Sequence, residues 1–202
     1  MNRRLLMTER SPFVRKVRVA LREKGLDCEE IKVDLSMKPP VLLASGPIQK
    51  VPVLYDGGLT IVDSTVILEY VEERYPAVRL FPHDYLARAN ARMWNQAANE
   101  AAEAAIHIRS ERLRHGSVRD LAALEKNQRL HDRIFDYAEE MLRGRETLVG
   151  GELTIADLAM VSAVGYSEFR LGGGWRTNRP NLGRYYDVLL KRKSFQETLP
   201  RD

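Results

Sequence analysis

Between Gln49 and Ser64 the chain reads QKVPVLYDGGLTIVDS, a strand, a tight turn, a second strand and a helix start in immediate succession. Val51, Val53 and Tyr55 alternate with Pro52, Leu54 and Asp56. Gly57-Gly58 supplies the positive φ angles of a two-residue hairpin, and Leu59 to Val62 returns as the antiparallel partner. Asp63-Ser64 precedes Val66, Ile67, Tyr70 and Val71, an apolar stripe at helical spacing, so an Asp or Ser side chain caps a helix at the hairpin's exit. The first turn of such a helix has unpaired N–H groups and partial positive charge, and a neighbouring hydroxyl adds a donor suited to a carboxylate or phosphate. Pro52 cannot donate to a ladder and belongs at a strand's first residue or at a sheet edge. Its bond to Val51 is either an ordinary trans peptide opening an edge strand, or cis, which would turn the N–H and C=O of Val51 toward a peptide-like ligand.

Upstream, Arg3 to Met7 is a strand candidate. Pro12 to Lys24 places Phe13, Val17, Ala20 and Leu21 on one helical face, and Gly25 ends that helix. Glu29 to Leu35 alternates Ile31, Val33 and Leu35 with charge, giving a second strand and a β-α-β unit. Lys38-Pro39-Pro40 breaks the chain, and Val41 to Ala44 forms one helical turn. The helix after Ser64 stops before Pro76, because the residue preceding proline avoids αR. From Pro82 onward strand-like alternation disappears, and the spacing predicts helices at Asp84 to Arg114, Ser117 to Arg143, Thr154 to Phe169 and Asn181 to Lys191, with a last turn near Ser194 to Thr198. The composition shift at the Tyr75 to Pro82 connector marks a boundary between an α/β domain, 1–77, and an all-helical domain, 83–202.

The chain has 202 residues, 44% of them hydrophobic and 30% charged, an ordinary globular composition with enough apolar side chains for a real core. No apolar run approaches the roughly 18 residues of a membrane span, and the start at Met1 to Met7 is too short in its apolar part for a secretory signal. A cytoplasmic chain is the expectation. The single cysteine, Cys28, excludes an internal disulfide and a CxxC redox pair. With a formal charge of +4, basic residues cluster at Arg15, Lys16, Arg18, Arg22 and Lys24, at Arg109, Arg112 and Arg114, and at Lys191, Arg192 and Lys193. They read as solvated helix faces interleaved with acids and without stacking aromatics, so no nucleic-acid partner is expected.

Ser11 lies between the first strand and a helix opening at Pro12, a position where a hydroxyl caps the helix and where it would also stabilise an anion. The four histidines fall in the helical half without a partner pattern, so no Ser-His-acid triad is assigned. Glu103, His107 and Glu111 share a helix face, but a solvated charge ladder accounts for them and no metal is expected. Gly172-Gly173-Gly174 lacks any phosphate-loop pattern and suits a plain loop.

Taken together, SPFVRKVRVALREKGL (Ser11 to Leu26), QKVPVL (Gln49 to Leu54), DSTVILEYVEERYP (Asp63 to Pro76) and LTIADLAM (Leu153 to Met160) resemble, in order and spacing, the cytosolic glutathione transferase superfamily, in its bacterial serine-type form. The last of these is similar to the family's capping-box segment, with Thr154 and Asp157 at a core helix start. The resemblance implies a thioredoxin-like α/β N-terminal domain, an all-α C-terminal domain and a homodimer. It implies a cis Pro52 and glutathione as co-substrate, with no metal. By the same resemblance Ser64 and Asp63 hold the γ-glutamyl carboxylate, Val51 beside Pro52 pairs with the cysteinyl backbone, Lys50 and Lys38 face the glycyl carboxylate, and Phe13 and Ser11 complete the site. Ser11 would donate a hydrogen bond to the thiolate, with Thr8 as a second hydroxyl nearby. The implied activity is transfer of glutathione to a small hydrophobic electrophile, held between the domains by Trp94, Asn99 and Tyr166; Trp94 and Tyr166 also fit a helical core. The charged turn Thr8-Glu9-Arg10 departs from the small residues usual there and, with the basic helices, points to an alternative: a non-catalytic regulatory protein similar to the stringent starvation protein A family. Cys28 falls away from the strand-helix junction, which disfavours glutaredoxin-like reduction.

Overall fold

The computed structural model describes residues 3–202, so Met1 and Asn2 of the opening stretch lie outside the described residues. Two compact units divide the chain: one comprises residues through Phe81 together with Lys193–Asp202, the other Pro82–Arg192. No helix among the described residues is long and apolar enough to cross a membrane.

The first unit is built on a four-stranded sheet of β1 (Arg4–Met7), β2 (Glu29–Lys32), β3 (Val53–Asp56) and β4 (Leu59–Val62) in the order β2-β1-β3-β4. β1 pairs parallel with β2, and antiparallel with β3, which pairs antiparallel with β4. The edge-strand expectation for the Pro52 segment is therefore corrected: β3 is an interior strand. It tolerates the proline because Pro52 lies just before the ladder and takes no donor from it. β2 is also shorter than the alternation to Leu35 predicts, because Asp34 accepts from the Ser36 N–H at 2.9 Å and bends the chain away.

Helices α1 (Pro12–Glu23), α2 (Pro40–Leu43) and α3 (Ser64–Arg74) complete the unit's N-terminal part, and a short α8 (Lys193–Gln196) packs on α1. The core holds Leu5, Leu6, Val14, Val17, Val53, Leu54, Ile67 and Val71, all buried, each worth about 1.5–3 kcal/mol if fully removed from water.

The basic cluster on α1 is not a solvated face. Arg15, Lys16, Arg18 and Lys24 are all buried. Arg18 pairs with Glu30 at 2.8 Å, Arg22 bridges Glu30 and Glu197, and Arg15 donates to the Phe195 carbonyl at 3.3 Å. The covering residues come from β2 and from the C-terminal stretch. That stretch, expected with the helical half, groups instead with the first unit.

The second unit contains α4 (Tyr85–Leu113), α5 (Leu121–Met141), α6 (Ile155–Leu171) and α7 (Pro180–Leu189). α4 is capped by Asp84, whose carboxylate accepts from Ala87 N–H at 2.8 Å. Its buried residues include Ala91, Ala98, Ala101, Ala102, Ala104 and Ala105, a small-residue face on which α6 packs. α6 is buried continuously from Ile155 to Ser167, the behaviour of a helix apolar all round and placed at the centre of its unit. The segment from Ser117 does not join α5, because Asp120 caps that helix by accepting from Ala123 N–H at 2.9 Å and Gly116–Val118 forms a separate 3-10 turn.

Candidate functional site

Strand register brings the candidate residues of the first unit to one end of the sheet. Leu6 of β1 is opposite Val53 of β3, Val53 is opposite Val62 of β4, and Met7 is aligned with Lys32 of β2. The chain therefore leaves β1 toward Ser11, enters β3 from Val51-Pro52, leaves β4 into Asp63-Ser64 and leaves β2 toward Lys38, all at that same end. Segments far apart in sequence meet there because parallel pairing sets like ends of β1 and β2 side by side, while antiparallel pairing sets the start of β3 beside the ends of β1 and β4.

The Val51–Pro52 peptide is cis. Outside the strand ladder, no main-chain hydrogen bond engages Val51 among the described residues. Asp63, at φ +73°, is the N-cap of α3; its Oδ1 accepts from the Thr65 and Val66 N–H groups at 2.7 and 3.2 Å. This satisfies the second and third donors of the helix. Ser64, buried at the first helical position, keeps its main-chain N–H and hydroxyl without a partner among the described residues. Those two donors at a positive helix end suit a carboxylate.

Lys38 and Lys50 are exposed, and neither ammonium pairs with an acid among the described residues. Lys38 (φ +41°), Gln49 (φ +50°) and Asp63 (φ +73°) are the three non-glycine residues described with positive φ. Strained backbone of this kind persists where surroundings over-determine it, characteristically at binding sites.

Ser11 caps α1, accepting from the Val14 N–H at 3.3 Å, with Pro12 at the first helical position. Capping uses a lone pair of Oγ and leaves its proton to donate, so the cap and an anion-stabilising role coexist in one hydroxyl. Phe13 beside it is half-buried. Thr8 is 8% exposed and its Oγ1 is buried without a partner among the described residues. Glu9, the charged departure in this turn, is drawn aside by Lys32 at 2.8 Å, and that hydrogen bond lowers its carboxyl pKa.

Burial pushes the Cys28 thiol up to about 11, so it is a protonated, poorly nucleophilic sulfur at neutral pH. Burial likewise brings the Lys16 ammonium down to about 7, against the attraction of Asp63. Between that value and the ordinary 10.5, the unfolded chain holds a proton that the folded one has released. Stability should therefore rise with pH across this window, by up to about 1.4 kcal/mol per pH unit, and fall as pH drops through it. Urea unfolding at both ends of the window should show this rise, and Lys16→Met should flatten it; equal slopes in the two proteins would assign the dependence elsewhere.

In the helical unit Trp94 is 1% exposed and stacks on Tyr137 with ring centroids 5.2 Å apart, and Tyr166 is also buried. Asn99 is partly exposed. The core reading of the two aromatics matches their burial. His131 has a partner that sequence inspection missed: its Nε2 lies 2.8 Å from Ser167 Oγ, and its Nδ1 3.4 Å from Asp132. A pairing across two helices leaves no local pattern to read. Of the helix-face residues Glu103, His107 and Glu111, the last accepts from Arg114 at 3.1 Å and from Asp120 N–H at 2.9 Å.

Residues 5–79 match the family model for the glutathione S-transferase N-terminal domain, and residues 101–193 that for its C-terminal domain. A probable glutathione S-transferase of Nicotiana tabacum is 32% identical over 94% of this chain and 84% of its own length. An uncharacterised GST-like protein of Escherichia coli, YibF, is 31% identical over 94% and 95%. Among solved structures, a Methylobacillus flagellatus glutathione S-transferase with bound glutathione superposes with a TM-score of 0.92 at 33% identity, over 99% of this chain and 100% of that one. One from Methylobacterium radiotolerans, in complex with glutathione sulfonate, has a TM-score of 0.94 at 29% identity, over 100% and 96%. With a thioredoxin-like sheet unit carrying a cis proline, a helical unit and both family domains in order, the chain belongs to the glutathione S-transferase family.

Proposed function

We propose that the protein binds glutathione at the strand-end cluster and activates its thiol for attack on a small hydrophobic electrophile. The observation that carries this reading is the convergence of Ser11, Val51-Pro52 and Asp63-Ser64 at one end of the sheet, with donors left unspent at each. In this reading the Ser64 N–H and hydroxyl take the γ-glutamyl carboxylate beside Asp63, the Val51 main chain pairs with the cysteinyl amide, and Lys50 and Lys38 neutralise the glycyl carboxylate. Phe13 flanks the bound tripeptide.

Ser11 O–H donates to the sulfur. A thiol has a pKa near 8.5 and only its thiolate attacks, so a donor aimed at the anion raises the reactive fraction at neutral pH. A charge-assisted bond of about 1.5–3 kcal/mol corresponds to one to two pKa units. The electrophile is assigned to Trp94, Asn99 and Tyr166. The family resemblance supports a cytoplasmic, homodimeric, detoxifying enzyme.

The regulatory alternative is not favoured. Lys32 holds the Glu9 charge that motivated it, the α1 basic cluster is buried, and the relatives that span most of the chain include named glutathione S-transferases.

Ser11→Ala tests the chemistry. The thiol of bound glutathione should rise by about one to two pKa units, read from thiolate absorbance, with kcat/KM toward a generic aryl halide down about tenfold or more and the glutathione Kd little changed. Unchanged thiolate formation would move the donor elsewhere. Absence of glutathione binding to the unmodified protein at about millimolar concentration would remove the transferase reading altogether.

A further inference from the structure

A cavity of about 330 Å³ lies within the helical unit, lined by Arg112, Gln128, His131, Asp132, Ser167, Leu171, Gly172, Gly174, Trp175 and Arg179. None of these is a residue assigned to glutathione, and all belong to Pro82–Arg192. Three elements build it: the C-terminal end of α4, the middle of α5, and the end of α6 with the loop that follows.

Most of its polar groups already have partners. Arg179 donates to Asp132 at 3.2 Å and to Asp136 at 2.7 Å, so its guanidinium is already engaged by two carboxylates, and Asp132 also accepts from Gln128 at 3.0 Å. His131 is buried and tilted on Phe135, with ring centroids 4.1 Å apart. With Nδ1–H toward Asp132, its Nε2 accepts from the Ser167 hydroxyl, so the ring is neutral and both nitrogens are spent. Burial lowers the His131 pKa; Asp132 opposes this, while Arg179 and Arg112 act in the same direction as burial.

Two donors remain. The indole N–H of Trp175 is buried without an acceptor, on a residue only 5% exposed. Leaving such a donor unpaired is unfavourable, and natural interiors rarely do so. The Arg112 guanidinium, at the mouth, has no carboxylate partner among the described residues. Counted over the lining residues alone, Arg112 and Arg179 outweigh Asp132 by one positive charge; Asp136, the second acid on Arg179, lies outside the lining with its side chain 64% exposed to solvent. Leu171 supplies apolar wall, and Gly172 and Gly174 contribute only main chain.

We propose that this cavity binds a small organic monocarboxylate, its carboxylate accepting from Trp175 Nε1–H and pairing with Arg112. The site goes beyond the glutathione reading and does not depend on it. A monoanion matches the single free charge. A carboxylate oxygen is the acceptor the indole lacks, and a guanidinium pairs with carboxylates in a planar fork.

Benzoate is the probe, with benzamide as the uncharged molecule of the same shape. The protein has two tryptophans, so two indole N–H signals are expected by NMR, and loss of one in Trp175→Phe assigns it. Benzoate should shift the Trp175 signal saturably with a Kd of about millimolar or below, whereas benzamide should bind about tenfold or more weakly. Arg112→Gln, an exposed substitution that leaves the core untouched, should weaken benzoate about tenfold while leaving glutathione binding unchanged. Lack of a saturable shift, equal binding of benzoate and benzamide, full affinity in Arg112→Gln, or displacement of benzoate by glutathione would each overturn the proposal. Because glutathione binding is read separately, these outcomes are distinct from failure of the transferase reading.

Discussion

Asp157→Ala is expected to lower the unfolding free energy by about 4 kcal/mol or more, the largest effect of any single substitution considered for the helical unit. Asp157 is 0% exposed at the start of α6. Its carboxylate accepts from Leu148 N–H at 3.0 Å, Thr154 N–H at 2.8 Å, Thr154 Oγ1–H at 3.1 Å and Tyr185 O–H at 2.9 Å. It thereby ties the preceding loop, the N-cap and α7 to the central helix. Alanine would strand these donors where water does not reach, each at about 1–3 kcal/mol, with relaxation keeping the total below their sum. For a chain of this size the loss corresponds to a melting point roughly 10 °C lower. Asp157→Asn should fall between, since an amide keeps one acceptor but presents N–H groups to other donors. Calorimetric unfolding of the two variants checks both values, and a loss under about 1 kcal/mol in Asp157→Ala would mean that the network carries little of the unit's stability.

Glu72→Ala should destabilise the first unit by about 3–5 kcal/mol. Glu72 and Lys24 have side chains only 2% exposed each, with Nζ and Oε2 2.7 Å apart. Lys24 also donates to the carbonyls of Tyr75 and Val78, while Glu72 accepts from Leu80 N–H at 3.1 Å and Phe81 N–H at 3.4 Å. The pair fastens the end of α1 to α3 and to the connector after it. Removing Glu72 leaves a buried cation and takes the carboxylate acceptor away from the Leu80 and Phe81 amides. Replacing both charges, as in Lys24→Met/Glu72→Leu, removes the stranded cation, and about half the loss should return. The carboxylate that accepted from the Leu80 and Phe81 amides is still missing, so recovery is incomplete. A double-mutant cycle by urea unfolding measures the coupling; additive losses in the two single variants would show that the pair does not act as a unit.

Much of both units was legible because the signals are local. Ser11, Asp63, Asp84 and Thr154 cap helices by bonds that reach two or three residues along the chain, so residue type and spacing sufficed. The hairpin at Gly57-Gly58, both at positive φ, is local in the same sense. Ser117 misled because the decisive cap, Asp120, lies within the same polar stretch, and nothing in the spacing separates a turn from a first helical turn. Arg15, Arg18 and Lys24 misled for a different reason. Charge on a helix reads as solvated unless the covering partner is known, and Glu30, Glu72 and Phe195 come from three other segments.

The amino-acid sequence alone determined the succession of elements, their caps, the hairpin and the family motifs, since these are set by steric preference and hydrogen bonds over a few residues. Tertiary structure decided what depends on contacts between distant segments. It made β3 an interior strand, sent Lys193–Asp202 back to the first unit, and buried the α1 cations against their acids. It also gathered Ser11, Val51 and Ser64 at one sheet end and closed the His131–Ser167 and Trp175 cavity. The physical reason is one of range: a cap or turn is chosen by its neighbours, whereas burial and strand register are properties of the packed whole.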